Sequence, residues 1–354
     1  MSFADGDYFE DDFRINGATV TNLTMGLGLK TDIPQGVIGL GYATNEASID
    51  TAAKVYPNLP VEMETEGLIK TVAYSLWLND LGASKGNILF GGIDTEKYVG
   101  DLTRIPVLRD AHTTVYTHFT VALTSLEASS PSGKDTLTSQ QLPIPVVLDS
   151  GTTLSYLPTD IVQQMWDEVG AVYRKDMELA VLPCSFGAHD GQFSFGFAGP
   201  NGPRINITMD ELVVDLTSGQ QPTFDAGPYK NELLCEFGIQ NSTSSPWLLG
   251  DTFLRSAYVV YDLVNNEIGL AATDFNSTAS NIIPFASKGA AIPSATVALS
   301  QGSVTAQETS GPTTFDAADG FQDTTGDNTG AGSNSKFVRA SIFLPILATM
   351  MLFK

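Results

Sequence analysis

Short apolar runs closed by glycine or asparagine turns recur through the first 275 residues, and they favour strands over helices. Gly36-Val-Ile-Gly-Leu-Gly41 reads as a buried strand entering a tight bend, and Asn87-Ile-Leu-Phe-Gly-Gly-Ile-Asp94 as another. Asp101-Leu-Thr-Arg-Ile-Pro-Val-Leu108 reads as an exposed strand that crosses between two lobes. Pro145-Val-Val-Leu148, Trp247-Leu-Leu-Gly250 and Ala257-Tyr-Val-Val-Tyr-Asp262 are further strands, the last followed by an Asn265-Asn266 turn and Glu267-Ile-Gly-Leu-Ala271. Helical spacing is confined to short pieces such as Thr159–Val172. The expected fold class is all-β.

The 354 residues suffice for two ordinary domains or one large β unit. Apolar residues make up 42% and charged ones 16%, so most of the chain should fold rather than stay an acidic coil. Eighteen Lys and Arg against 40 Asp and Glu give a net charge of −22, which argues against a nucleic-acid partner because phosphates need a basic surface. His112, His118 and His189 lack the spacing of a zinc-protease helix, and no Gly-x-Ser-x-Gly elbow is present. Gly26-Leu-Gly28 and Gly39-Leu-Gly41 lack the third glycine of a dinucleotide loop and read as β-turns. Two cysteines, Cys184 and Cys235, exclude a Cys-rich zinc module and permit a single disulfide. Four sequons, at Asn22, Asn206, Asn241 and Asn276, together favour a secreted glycoprotein.

The two ends point in different directions. From Ile282 onward Ala, Ser, Thr, Gly and Asp dominate, so a flexible stalk is expected. It leads through Gly330-Ala331-Gly332-Ser333 to an apolar run, Ile342 to Phe353, that contains a proline and is shorter than the about 20 residues of a spanning helix. Small residues, a spacer and a short apolar tail match a glycosylphosphatidylinositol signal, with Gly330, Gly332 and Ser333 as candidate attachment sites. A greasy helix docked on the core is the competing reading of that tail. The first residues, Met1 to Phe13, have neither the basic nor the apolar region of a signal peptide and read as the middle of a β-hairpin. The expectation is a sequence that lacks its true beginning.

The chemistry concentrates at Val147-Leu148-Asp149-Ser150-Gly151-Thr152-Thr153, where an apolar strand delivers a carboxylate into a turn. Gly151 permits close approach, and the hydroxyls of Ser150, Thr152 and Thr153 can orient the carboxylate. Alone, Asp-Ser-Gly is ordinary turn chemistry. About a hundred positions on, Trp247-Leu-Leu-Gly-Asp-Thr-Phe-Leu-Arg-Ser-Ala-Tyr258 gives the loop a context. Together with Leu89-Phe-Gly-Gly-Ile-Asp94 and Tyr98-Val-Gly-Asp-Leu102, the pattern resembles the pepsin-like aspartic proteases. The stalk and tail resemble the fungal surface-anchored subgroup called yapsins.

That resemblance implies a bilobal β fold and an aspartic endopeptidase that acts on polypeptides as a monomer, with no cofactor and no metal. It implies a Cys184–Cys235 disulfide, worth about 4 kcal/mol for a closed loop of this length. It divides the chain into an incomplete N-terminal lobe (1–107), a C-terminal lobe with Asp149 as its catalytic residue (108–277), a stalk (278–336) and a signal tail (337–354). Ser2-Phe3-Ala4-Asp5-Gly6-Asp7 resembles the family's flap tip, with Phe3 where a tyrosine is usual. The family needs two facing aspartates that share one proton, yet a second Asp-(Thr/Ser)-Gly suited to that role is missing from the sequence. One aspartate cannot fill both roles, so the chain is expected to be inactive as written. The alternative is a non-catalytic surface binding protein derived from such a protease, distinguished by ligand binding without cleavage.

Overall fold

The computed structural model describes residues 4–32, 35–46, 55–83, 85–110, 113–217, 219–298 and 349–352. A hairpin, β1 (Ala4–Ile15) and β2 (Ala18–Thr31), opens the chain. It reverses at Asn16-Gly17, with φ of 43° and 82°, the left-handed pair that a two-residue turn between twisted strands requires. Ile15, Val20 and Leu23 near the turn are buried, whereas Tyr8, Phe9, Leu27 and Leu29 are exposed.

Two large sheets carry the rest. The first runs β22 (Thr296–Val297), β6 (Tyr98–Pro106), β20 (Glu267–Thr273), β19 (Ala257–Asp262), β3 (Ala73–Trp77), β4 (Asn87–Phe90) and β23 (Thr349–Leu352). Every residue of β3 and β19 is buried, as befits central strands covered on both faces. The second runs β14 (Arg204–Thr208), β13 (Gln192–Phe197), β7 (Thr120–Ser130), β9 (Ile144–Leu148), β18 (Trp247–Leu249), β10 (Ser155–Pro158) and β17 (Ile239–Ser242). From its β7, β8 (Gly133–Leu137) branches off. A third, smaller sheet orders β11 (Val172–Arg174), β12 (Leu179–Pro183), β16 (Leu234–Phe237) and β15 (Val213–Asp215).

Helices are short. α1 (Leu59–Thr65) follows Asn58. α2 (Thr159–Val169) buries Ile161, Val162, Met165, Trp166 and Val169, one face at helical spacing, and stops at Gly170 in the left-handed conformation. The sequence pattern extends this helix to Val172, but Gly170 ends it and Val172 already begins β11. α3 (Met209–Leu212) and α4 (Asp251–Leu254) are single turns.

Three expectations change. Gly36–Gly41 is not a buried strand: Val37 is 78% and Ile38 47% exposed, and no described residue pairs with them. An apolar run becomes a strand only beside a neighbour that accepts its backbone hydrogen bonds. Strands from either side of residue 107 share one sheet, β19 pairing with β3 and β20 with β6. The strand at Tyr98–Pro106 is not simply exposed, since Leu102 and Ile105 face the core.

The stalk expected from 278 is packed chain as far as Ala298. Ile282–Pro284 forms β21 against β5 (Gly92–Asp94), Phe285 is fully enclosed, and Ile292 and Ala298 are buried. Lys97 Nζ donates to the carbonyls of Ser277 and Ala279 at 2.8 and 2.7 Å, and Asp94 accepts from Ser280 Oγ and the Asn281 amide at 2.7 and 2.8 Å. A few spaced apolar residues suffice here because an existing strand supplies the hydrogen bonds. Gly330, Gly332 and Ser333 lie outside the described residues. Of the tail, Thr349–Leu352 pairs its backbone in parallel with Asn87–Phe90 at the sheet edge.

Candidate active site

β9 and β18 lie side by side in parallel, Leu148 opposite Leu249, so both chains leave the sheet at the same level. Asp149 follows one strand and Gly250-Asp251 the other. The two exits are stitched together by the Asp149 amide to the Leu249 carbonyl (3.0 Å), the Asp251 amide to the Thr152 carbonyl (2.9 Å) and the Thr252 amide to the Thr153 carbonyl (3.1 Å). Gly250 allows this crossing: a Cβ there would stand 2.2 Å from the Thr152 carbonyl oxygen and 2.3 Å from that of Leu154. Behind the loop the Gly250 amide donates to Ser155 Oγ (3.2 Å), which meets Thr252 Oγ1 at 3.0 Å. Thr252 Oγ1 in turn donates to the Gly238 carbonyl at 2.8 Å. With its own proton spent on Gly238, Thr252 must accept from Ser155, which sets the direction of the relay.

Asp149 is partly exposed, and both of its oxygens are held. Oδ1 accepts the Gly151 amide at 2.9 Å and Oδ2 accepts the Thr152 hydroxyl at 2.6 Å. Donors aimed at both oxygens fix the orientation of the carboxyl group. The sequence reading grouped Ser150, Gly151, Thr152 and Thr153 as support. The structure brings Gly151 and Thr152 onto the carboxylate, whereas Ser150 and Thr153 are exposed and their hydroxyls are not among its described partners.

Three residues near the loop escaped the sequence reading. Asp251 has its Oδ1 enclosed without a hydrogen-bond partner among the described residues, and burial pushes its carboxyl up to about 7. Arg255 opposes that rise and the charge of Asp149 adds to it. Arg255 is itself engaged by buried Glu211, Nε to Oε2 at 2.5 Å and Nη2 to the Glu211 carbonyl at 2.6 Å. Tyr74 and Tyr261 stack at 4.8 Å, and the Tyr261 hydroxyl is buried without a described partner. Burial first, and the negative charge of Asp149 after it, hold the Tyr261 phenol protonated. Asp251 was within reach of the motif, since it directly follows Leu248-Leu249-Gly250; the tyrosines come from strands whose neighbours the sequence does not reveal.

The other expected residues are spread around the molecule. Cys184, just past β12, and Cys235 in β16 form a disulfide with Sγ–Sγ of 2.02 Å. Phe3 lies outside the described residues. Asp5 and Gly6 sit within β1 opposite Lys30 and Gly28 at a register shift, not at a hairpin tip, and the chain reverses instead at Asn16-Gly17. A tip needs a strand on each side, and among the described residues β1 pairs with β2 alone. Asn22 and Asn206 are exposed. Asn241 donates to Thr159 Oγ1 at 3.3 Å, and the Asn276 side-chain amide donates to Asp80 Oδ2 while its backbone amide donates to Asn79 Oδ1 at 2.8 Å.

The family model described as "Eukaryotic aspartyl protease" matches residues 2–273. The chain is 43% identical over 303 residues to "Probable aspartic-type endopeptidase opsB" of Aspergillus oryzae, a match covering 84% of this chain and 60% of that protein. It is 37% identical over 284 residues to "Secreted aspartic protease 1" of Candida albicans, covering 79% of this chain and 64% of that one. Among solved structures, the aspartic proteinase from Irpex lacteus superposes with a TM-score of 0.59 at 20% identity, over 79% of this chain and 83% of that one, a likeness of fold. The chain thus spans about three fifths of the length of the curated relatives it matches.

Proposed function

The chain belongs to the eukaryotic aspartyl protease family, and from that we propose that Asp149 is one of the two carboxylates of an aspartic endopeptidase. The observation that carries this is the Asp149 carboxylate itself, partly exposed at a glycine crossing and gripped at both oxygens by Gly151 and Thr152. In the proposed reaction two carboxyls share one proton. The ionised one takes a proton from water, and the water oxygen attacks the peptide carbonyl carbon. The protonated one gives its proton to the carbonyl oxygen. Collapse of the tetrahedral species breaks the C–N bond, and the departing amine takes up a proton.

The 354 residues hold one loop of this kind, so on their own they supply one carboxylate and are inactive. We place the second on sequence outside these residues, in keeping with the three-fifths coverage of the relatives. Secretion is proposed from the secreted relative, the sequons and the disulfide, and lipid anchoring from the small residues at 330–333 and the apolar tail. Removing that tail would free the edge of β4 that Thr349–Leu352 now covers.

The test is cleavage of an unfolded protein at acidic pH by the protein isolated from its source, beside its Asp149→Asn variant. Cleavage that the variant loses, with unchanged thermal stability, is the expected result. Cleavage that survives the substitution overturns the assignment of Asp149. A folded native protein that binds peptides and cleaves none overturns the peptidase reading in favour of a binding role.

A further inference from the structure

We infer that Asn16 is a site of spontaneous covalent modification: its side-chain amide closes on the backbone nitrogen of Gly17 to an imide, which water opens to aspartate or isoaspartate. The reaction takes no enzyme and no cofactor, and it stands apart from the peptidase reading.

The sequence has two Asn-Gly steps, Asn16-Gly17 and Asn201-Gly202. In both, the glycine brings no Cβ to hinder ring closure, so the sequence alone ranks them equally. The structure separates them. Asn16 and Gly17 are exposed and lie between β1 and β2. Cross-strand pairing begins at Ile15 opposite Ala18, so the two turn residues add nothing to the ladder. The Gly17 amide donates to no described group, and a Cβ on Gly17 would find nothing within 4 Å. Ring closure requires Asn16 to rotate out of the turn. Its φ of 43° lies where a residue with a side chain is disfavoured, so leaving that conformation meets little resistance.

Asn201 is exposed as well, but its glycine is held. The Gly202 amide donates to the Gly199 carbonyl at 3.0 Å, and the Phe197 amide donates to the Pro203 carbonyl at 3.0 Å. A Cβ on Gly202 would collide with the Phe197 carbonyl oxygen, so the backbone here is packed against its neighbour. Rotation at Asn201 must break these bonds before its amide can meet the Gly202 nitrogen.

In the reaction a base removes the Gly17 amide proton, and the nitrogen attacks Cγ of Asn16. A C–N bond forms to Gly17, the C–N bond to the side-chain nitrogen breaks, and ammonia leaves with a proton. Water then adds to the imide. Opening at Cγ gives aspartate, and opening at the main-chain carbonyl gives isoaspartate; neither route oxidises or reduces anything. Each converted chain gains one negative charge, from −22 to −23. Isoaspartate also carries the backbone through Cβ. The extra methylene does not fit a two-residue turn, and the Ile15–Ala18 end of the hairpin loosens.

The test incubates the protein isolated from its source at neutral pH, once folded and once unfolded in urea, and measures aspartate and isoaspartate at both positions by mass spectrometry of proteolytic peptides. The unfolded protein should convert Asn16 and Asn201 at similar rates. The folded protein should convert Asn16 at least about tenfold faster than Asn201, because only the first is released by a local opening. The Asn16→Gly variant keeps residues suited to the turn, and its folded form should lose the slow acidic drift seen on ion exchange. Equal rates at the two positions in the folded protein overturn the inference. So does an intact Asn16 after about ten half-lives of the unfolded reaction, or an acidic drift that persists in the variant. No cleavage enters the measurement, so loss of the peptidase reading leaves it untouched.

Discussion

Replacing Glu168 with glutamine should stabilise the protein at pH 8 and leave it nearly unchanged at pH 4. Glu168, on α2, is 4% exposed and meets Asp135 of β8, itself 3% exposed. Burial, then the hydrogen bond and charge of Asp135, then the charge of Asp167, raise Glu168 from its ordinary 4.5 to about 8. The folded state therefore holds a proton that the unfolded chain releases from about pH 4.5 upward. Stability gained from the shared proton is complete below that pH and declines as pH rises toward 8. At about 1.4 kcal/mol per pH unit, the full interval corresponds to an upper bound of about 5 kcal/mol. Glutamine keeps the shape and can donate to Asp135, but it cannot ionise. The gain at pH 8 should be roughly 2–5 kcal/mol, with less than about 1 kcal/mol of difference at pH 4. Urea unfolding of both proteins at pH 4, 6 and 8 measures this through the fluorescence of Trp166, whose Nε1 is held by the Ile239 carbonyl at 3.0 Å. Parallel loss of stability by both proteins across that range would refute the argument.

Gly250→Ala should cost more than about 3 kcal/mol, because the new Cβ meets two carbonyl oxygens at 2.2 and 2.3 Å; a melting temperature within 2 °C or so of the unsubstituted protein would contradict this. Replacing Cys184 and Cys235 together by serine should cost about 4 kcal/mol for a bridge that spans 51 positions, read as a shift of the denaturation midpoint. Glycopeptide mapping of the secreted protein should find Asn206 modified and Asn276 bare, since the Asn276 amide is already committed to Asp80; full occupancy at Asn276 would show that this contact is dispensable.

Much of the site and the strand content was legible in the sequence because both are local. Val147-Leu148 must be a strand, Gly151 must sit in a turn, and Asp149 must emerge between them whatever the rest of the chain does. The helix at 159–169 was equally legible, as its apolar spacing specifies one buried face. Partnership was not. Val37 and Ile38 look as strand-like as Leu248 and Leu249, yet only the latter pair finds a neighbour among the described residues. Residues 278–298 look too poor in apolar side chains to fold, yet Ile282–Pro284 pairs with Gly92–Asp94 and seats Phe285 in the core.

Asp251 is the sharpest case. Its identity is printed beside the Leu-Leu-Gly motif, but its enclosed oxygen and its closeness to Asp149 follow from two parallel strands about a hundred residues apart in the chain. By itself the sequence determined which residues can form strands, which glycines must bend and where a carboxylate is presented, because those depend on neighbours along the backbone. The tertiary structure alone decided which strands pair, which acids lose their water and which charges feel one another, because desolvation and Coulomb interaction depend on distance through space.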